Sequence, residues 1–77
     1  MTLKEMRQKK GYSRATLADI TGISARNIEH YESGYRDING AKLDVLCTLS
    51  LALECKLENL LTDEDLKRKF RKAIKSK

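Results

Sequence analysis

Three polar side chains with hydrogen-bonding heads, Arg26, Asn27 and His30, lie within five residues of one another, and Arg14 and Arg36 flank them along the chain. These residue types fit the edges of nucleic-acid bases. A guanidinium can donate to guanine O6 and N7 together, and an amide can pair with adenine. The chemistry on offer is recognition, not bond breaking. One histidine, no nucleophile beside a base, no metal-ligand cluster and no glycine-rich phosphate loop leave an enzyme reading without support and imply no cofactor.

Residues 13–34, SRATLADITGISARNIEHYESG, must hold those side chains in place. Ser13 is placed to cap a second helix whose inward residues are Leu17 and Ile20, with the small Ala18 between them and Gly22 as its stop. Ser24 then caps a third helix, and Ile23 and Ile28 have the spacing of a hydrophobic staple. Ile28 and Tyr31 face inward, Gly34 closes the helix, and Arg26, Asn27 and His30 are assigned to its outer face. Two helices joined so closely cross steeply, which is the shape that enters a major groove.

Around this pair the chain reads as helical throughout. Thr2 and Glu5 make a capping box for a first helix over about residues 3–10, with Leu3 and Met6 inward and Gly11 as its stop. Asn39 is expected to cap a fourth helix, stapled by Ile38 and Leu43, whose core stripe is Leu43, Leu46, Cys47, Ser50 and Leu53. Val45, Leu49 and Ala52 form a second stripe that asks for a further partner. Leu57, Leu60 and Leu61 make a short fifth helix. Thr62 and Asp65 start a sixth, in which Leu66, Phe70 and Ile74 recur at i, i+4 and i+8 among basic residues.

Seventy-seven residues suit one domain. The net charge of +5 is unevenly spread: +3 over residues 1–36, −2 over 37–61 and +4 over 62–77. Positive charge thus gathers on the half with the helix pair and on the tail. No apolar run can span a bilayer, and MTLKEMRQKK lacks a signal peptide's hydrophobic stretch, so a cytoplasmic location without membrane contact is expected. Cys47 and Cys55 have no further ligand at metal spacing and read as reduced, packed thiols.

Arg7, Ser13, Leu17, Ala18, Gly22, Ile23, Ser24, Ile28, Glu32, Gly34, Leu46, Leu53, Leu60 and Leu61 fall in the register of a known pattern, and over about residues 3–61 the chain resembles the Cro/cI-type helix-turn-helix family, also called the XRE family. The resemblance implies an all-α, compact five-helix, lambda-repressor-like bundle over residues 1–61, with its helix-turn-helix in the second and third helices. Residues 62–77 add a basic amphipathic C-terminal helix.

The resemblance also implies roles. Arg7 and Glu32 form a structural ion pair, and Ala25, Arg26 and His30, with Asn27 beside them, read bases. Ala25 is too short to do more than touch a thymine methyl. Arg14, Ser33, Tyr35 and Arg36 contact phosphates. Arg14 stands where glutamine is common, and a cation in a helix's first turn opposes the macrodipole, a cost that an adjacent phosphate would reverse. Glu54 replaces a common glycine, so the local turn is expected to differ. The dimer surface is placed around Cys55, Leu57 and Glu58. The function implied is a sequence-specific double-stranded DNA-binding transcriptional regulator, a repressor acting as a homodimer on a palindromic operator. The alternative is a protein-binding module, such as an antitoxin-like partner or a subunit of a regulatory complex.

Overall fold

The computed structural model describes residues 2–75, and every regular element among them is helical. In order these are α1 (Leu3–Lys9), α2 (Arg14–Thr21), α3 (Ala25–Ser33), a 3-10 turn at Ile38–Gly40, α4 (Leu43–Leu53), a second 3-10 turn at Leu57–Leu60, and α5 (Glu64–Lys75). The fold is an all-α bundle. Among the described residues no helix is long and apolar enough to cross a membrane.

Local hydrogen bonds set the starts of the first three helices. Thr2 Oγ1 accepts from the Glu5 amide while the Glu5 carboxylate accepts from the Thr2 amide, closing the capping box. Ser13 Oγ accepts from Thr16 N, and Ser24 Oγ from Asn27 N, each satisfying an amide that the helix cannot. Between α2 and α3 the chain reverses at Gly22, whose φ of 76° is left-handed and free of strain only for glycine. Thr21 Oγ1 completes the turn, donating to Leu17 O and accepting from Ile23 N.

One residue from each of four elements meets at the centre. Leu17 of α2, Ile28 of α3 and Leu49 of α4 have no exposed surface, and Leu60 is 1% exposed. Leu3, Met6, Ile38, Leu46, Leu53 and Leu61 complete this core.

The structure departs from the sequence reading at several points, most of them in the second half. Asn39 does not start α4. It lies in a 3-10 turn capped by Asp37, and Lys42 occupies the N-cap of α4 with no side-chain bond. The reason is a long-range competitor: Asn39 Oδ1 accepts from Thr62 N and Asp63 N, and its Nδ2 donates to Thr62 Oγ1 and Asp37 Oδ1. Thr62 is thereby occupied, and Asp63 caps α5 instead, accepting from Asp65 N and Leu66 N. Leu43 is 64% exposed, so no staple forms with Ile38 and the inward stripe of α4 is Leu46, Leu49 and Leu53. Val45 and Ala52 pack on that same core, so the second stripe needs no outside partner, and Cys47 is exposed. The expected fifth helix is one 3-10 turn, and Ile20 is 51% exposed.

α5 packs in cis. Leu66 and Phe70 lie against the core, and Arg71 is hydrogen-bonded to Glu58.

One carboxylate ties α1, α2 and α3 together. Arg7 Nε lies 2.6 Å from Glu32 Oε2, and Arg14 Nε lies 2.9 Å from Glu32 Oε1. Arg7 also donates through Nη1 to Tyr12 O at 2.7 Å, so its guanidinium fixes the chain between α1 and α2 as well. The Glu32 side chain is only 2% exposed. Burial alone would raise its pKa, but the hydrogen bonds and charges of Arg7 and Arg14 outweigh burial and hold it below the ordinary carboxylate range.

Glu54 takes the left-handed conformation itself, with φ 51° and ψ 45°, so the turn keeps the geometry that glycine would give it. Lys10 Nζ reaches its carboxylate at 2.7 Å, an exposed contact of little energetic weight. The local turn expected to differ therefore does not.

Two stability predictions follow from these contacts. A carboxyl held low in the folded state contributes stability that is fully present above its unfolded pKa, near 4.5, and is lost as pH falls through the folded value. Glu32→Gln should therefore lower stability by ~3 kcal/mol at pH 7 in urea denaturation. It should also lose less further stability than the unaltered protein between pH 5 and pH 3, on the order of the titration window of a lowered carboxyl. Equal acid sensitivity in the two proteins would refute this account. Glu54→Gly should raise the thermal midpoint by relieving the left-handed backbone, whereas Glu54→Ala, still strained and without its lysine, should lower it. A midpoint for Glu54→Gly below that of the unaltered protein would show that the Lys10 contact outweighs the backbone.

Candidate nucleic-acid interface

α3 is nine residues long, about 14 Å at 1.5 Å per residue, and is held on three sides. Ile28 anchors it in the core, Ser24 fixes its start, and Glu32 is clamped by two arginines near its end. At its C-terminus Gly34 is left-handed and Arg36 N donates to His30 O, which turns the chain sharply away. A helix so fixed presents its outer side chains with little freedom of orientation.

Arg26 points away from Ile28, is exposed, and has no ion-pair partner among the described residues. Ala25 is half-buried beside it. His30, one turn on, is also half-buried, and its ring lies 4.6 Å from that of Tyr35 at an interplanar angle of 47°. Tyr35 is itself 80% exposed and is set against α3 by this contact. Ser33 is exposed, with its hydroxyl donating to His30 O.

Asn27 is not on the outer face. It is half-buried and lines a groove with Ser24, Tyr31, Arg36, Ala41 and Lys42. Positions 27 and 29 each stand about 100° from Ile28 on opposite flanks of the helix, and the groove covers the flank of Asn27. Glu29, on the other flank and one turn from Arg26, is exposed. A carboxylate there can accept from cytosine N4. Lys42, which lines the same groove as Asn27, is likewise exposed, and a helix start at Asn39 would hide it in the first turn of a helix that in fact begins after it.

Arg14 is anchored through Nε to Glu32, and its side chain is 42% exposed. The carboxylate supplies a second reason for a cation in the first turn of α2, so the unfavourable helix dipole there no longer requires a phosphate. Arg7, Arg14 and Glu32 still sum to one positive charge at this edge of the helix pair. Arg36 is exposed in the loop after α3, next to the groove that Asn27 and Lys42 share.

The expected dimer residues are scattered in their engagement. Glu58 is bonded to Arg71, and Leu57 lines a groove with Leu61, Leu66 and Phe70 of the same chain. Cys55 is half-buried, and burial pushes its thiol pKa up. Beyond them the outer side of α4 bears an uncovered row: Leu43, Cys47 and Leu51 at i, i+4 and i+8, with Leu51 79% exposed.

Comparison with known proteins agrees with this architecture. A family profile described as helix-turn-helix matches residues 3–60, from the start of α1 to the end of the second 3-10 turn. A protein of Pyrococcus abyssi (strain GE5 / Orsay), carrying the provisional name HTH-type transcriptional regulatory protein, is 39% identical over 51 residues. That match spans 66% of this chain and 13% of the relative's length. No solved structure matches. With its caps, glycine turn, buried Leu17 and Ile28 and clamped Glu32 in that register, the chain belongs to the XRE-type helix-turn-helix family of DNA-binding domains.

Proposed function

We propose that the chain is a sequence-specific double-stranded DNA-binding transcriptional regulator, a repressor acting as a homodimer on a palindromic operator. The observation that carries this reading is Arg26, outward and without an ion pair among the described residues, on a helix whose opposite side, at Ile28, is fully buried. An arginine fork presented rigidly suits guanine O6 and N7. Family membership and the name of the Pyrococcus relative support the regulatory role.

On this reading Arg26 is the principal base reader, His30 and Ala25 bound its footprint, and Asn27 addresses the groove edge. Arg14, Ser33, Tyr35 and Arg36 hold phosphates around it. Arg14 is oriented by Glu32 rather than freely solvated, which favours a fixed backbone contact.

Two copies are needed because one helix reads one groove. Recognition helices on successive turns of DNA stand about 34 Å apart, and one copy presents a single α3, so one copy covers a half-site. Leu51, one turn before Cys55, extends the proposed dimer surface beyond Cys55, Leu57 and Glu58 to a side chain that its own chain leaves uncovered.

Selection from random duplex DNA tests specificity. Arg26→Ala should fold normally, cost about 1–3 kcal/mol on the selected site and relax one base position. Unchanged selectivity would overturn its role. Leu51→Glu should reduce the complex on the selected site from two chains to one without unfolding the protein, read by the mass of the complex. Persistence of two chains would remove the α4 row from the dimer surface.

A further inference from the structure

α5 carries six cations, Lys67, Arg68, Lys69, Arg71, Lys72 and Lys75, against Glu64 and Asp65 in its first turn. Its apolar side is already used, since Leu66 and Phe70 pack against the core and leave Ile74 exposed. Arg71 is held by Glu58, while Lys67 and Arg68 stand 3.6 and 3.5 Å from Glu64 and Asp65. Lys69, Lys72 and Lys75 are exposed and form no ion pair among the described residues. They follow one another at i, i+3 and i+6, where like charges repel and weaken a helix. Nothing in the packing of the domain calls for them.

The position of α5 is fixed from the loop behind the recognition helix. Asn39 holds the chain at Thr62 and Asp63, and Lys69 lines a groove with Asn39, Ala41 and Leu43. Ala41 also lines the groove that reaches Asn27 of α3, together with Arg36 and Lys42. Ala41 thus borders both grooves, whose exposed cations are Arg36, Lys42 and Lys69, with Lys72 one turn beyond Lys69.

We propose that α5 is a second polyanion-binding element, lying along the phosphate backbone of the same duplex outside the bases that α3 reads. This rests on the DNA-binding reading above. A duplex presents one negative charge per about 1.7 Å of axis, the kind of partner that relieves a run of unpaired lysines. A bilayer would need the apolar stripe, and the core holds that stripe except at Ile74.

The test compares the full chain with a triple variant, Lys69→Gln, Lys72→Gln and Lys75→Gln, on a selected site. Binding is followed against salt on a long duplex and on one trimmed to that site. On the long duplex the variant should lose about 2–3 from the slope of log K against log salt, at ~0.9 per phosphate contact. The selected sequence should not change, and the two proteins should converge on the trimmed duplex. An unchanged slope in a variant with normal circular dichroism overturns the proposal. So does an altered base preference, which would make α5 a reader of bases, or lost binding to anionic vesicles with the DNA slope intact. Failure of the DNA-binding reading itself is seen separately, because the unaltered protein would then select no sequence.

Discussion

The Glu32 carboxylate is the point on which this domain turns. It sits near the end of α3, nearly inaccessible to solvent, and accepts from a guanidinium of α1 and another at the start of α2. A lone buried carboxylate is expensive, so these two arginines are obligatory companions. The geometry that satisfies them also fixes the three helices relative to one another. Arg7 adds a bond to Tyr12 O and so secures the connection from α1 to α2. The angle at which α3 leaves the body is thus set by charge at one end and by the Ser24 cap and the Gly22 turn at the other. Between them Ile28 fills the core.

That arrangement suits a small domain. With few residues to bury, the core relies on single leucines and isoleucines from different elements meeting at one centre, Leu17, Ile28, Leu49 and Leu60. Hydrogen-bonded joints do the rest of the positioning. Asn39 is the clearest, since one amide links the turn after α3 to Asp37 and to the two residues ahead of α5. It serves the second half as Glu32 serves the first, by making a long-range connection through a polar side chain where apolar area is scarce.

The difference between these two joints explains what could be read from the sequence. Thr2, Ser13 and Ser24 cap the helices they precede, because their bonds run to amides three residues away and compete with nothing else nearby. Asn39 has the same local signature, yet its side chain is drawn to residues 23 and 24 positions distant, which no local rule can see. α4 was ambiguous for another reason. Its sequence, LDVLCTLSLAL, is apolar on nearly every side, so a stripe from Leu43 and one through Leu49 are equally helical, and only the neighbours select Leu49. Three polar neighbours within five residues suggest one face, but helical rotation carries Asn27 to the flank that lines the groove. The carboxylate that orients Arg14 lies eighteen residues on and also holds Arg7, so a phosphate is the only partner for Arg14 that the local sequence suggests.

How the candidate surface divides its work follows from the size of each contribution. α3 offers one long fork in Arg26, a carboxylate in Glu29, a histidine partly covered by Tyr35, and an alanine too short to hydrogen-bond. A bidentate pair discriminates by about 1–3 kcal/mol, so one such helix separates a preferred site from its neighbours only modestly. In the proposed homodimer, repetition of the half-site and contacts that carry no sequence information supply the remaining discrimination and most of the affinity. The charge distribution fits that need, because its positive part falls on the half that contains α3 and again on α5, with the acidic stretch of residues 37–61 between them in sequence. On the proposed reading, few donors choose the site while many cations hold it. A domain built so would give up affinity steeply with salt and selectivity hardly at all, since the ions screen phosphate contacts far more than a desolvated base contact.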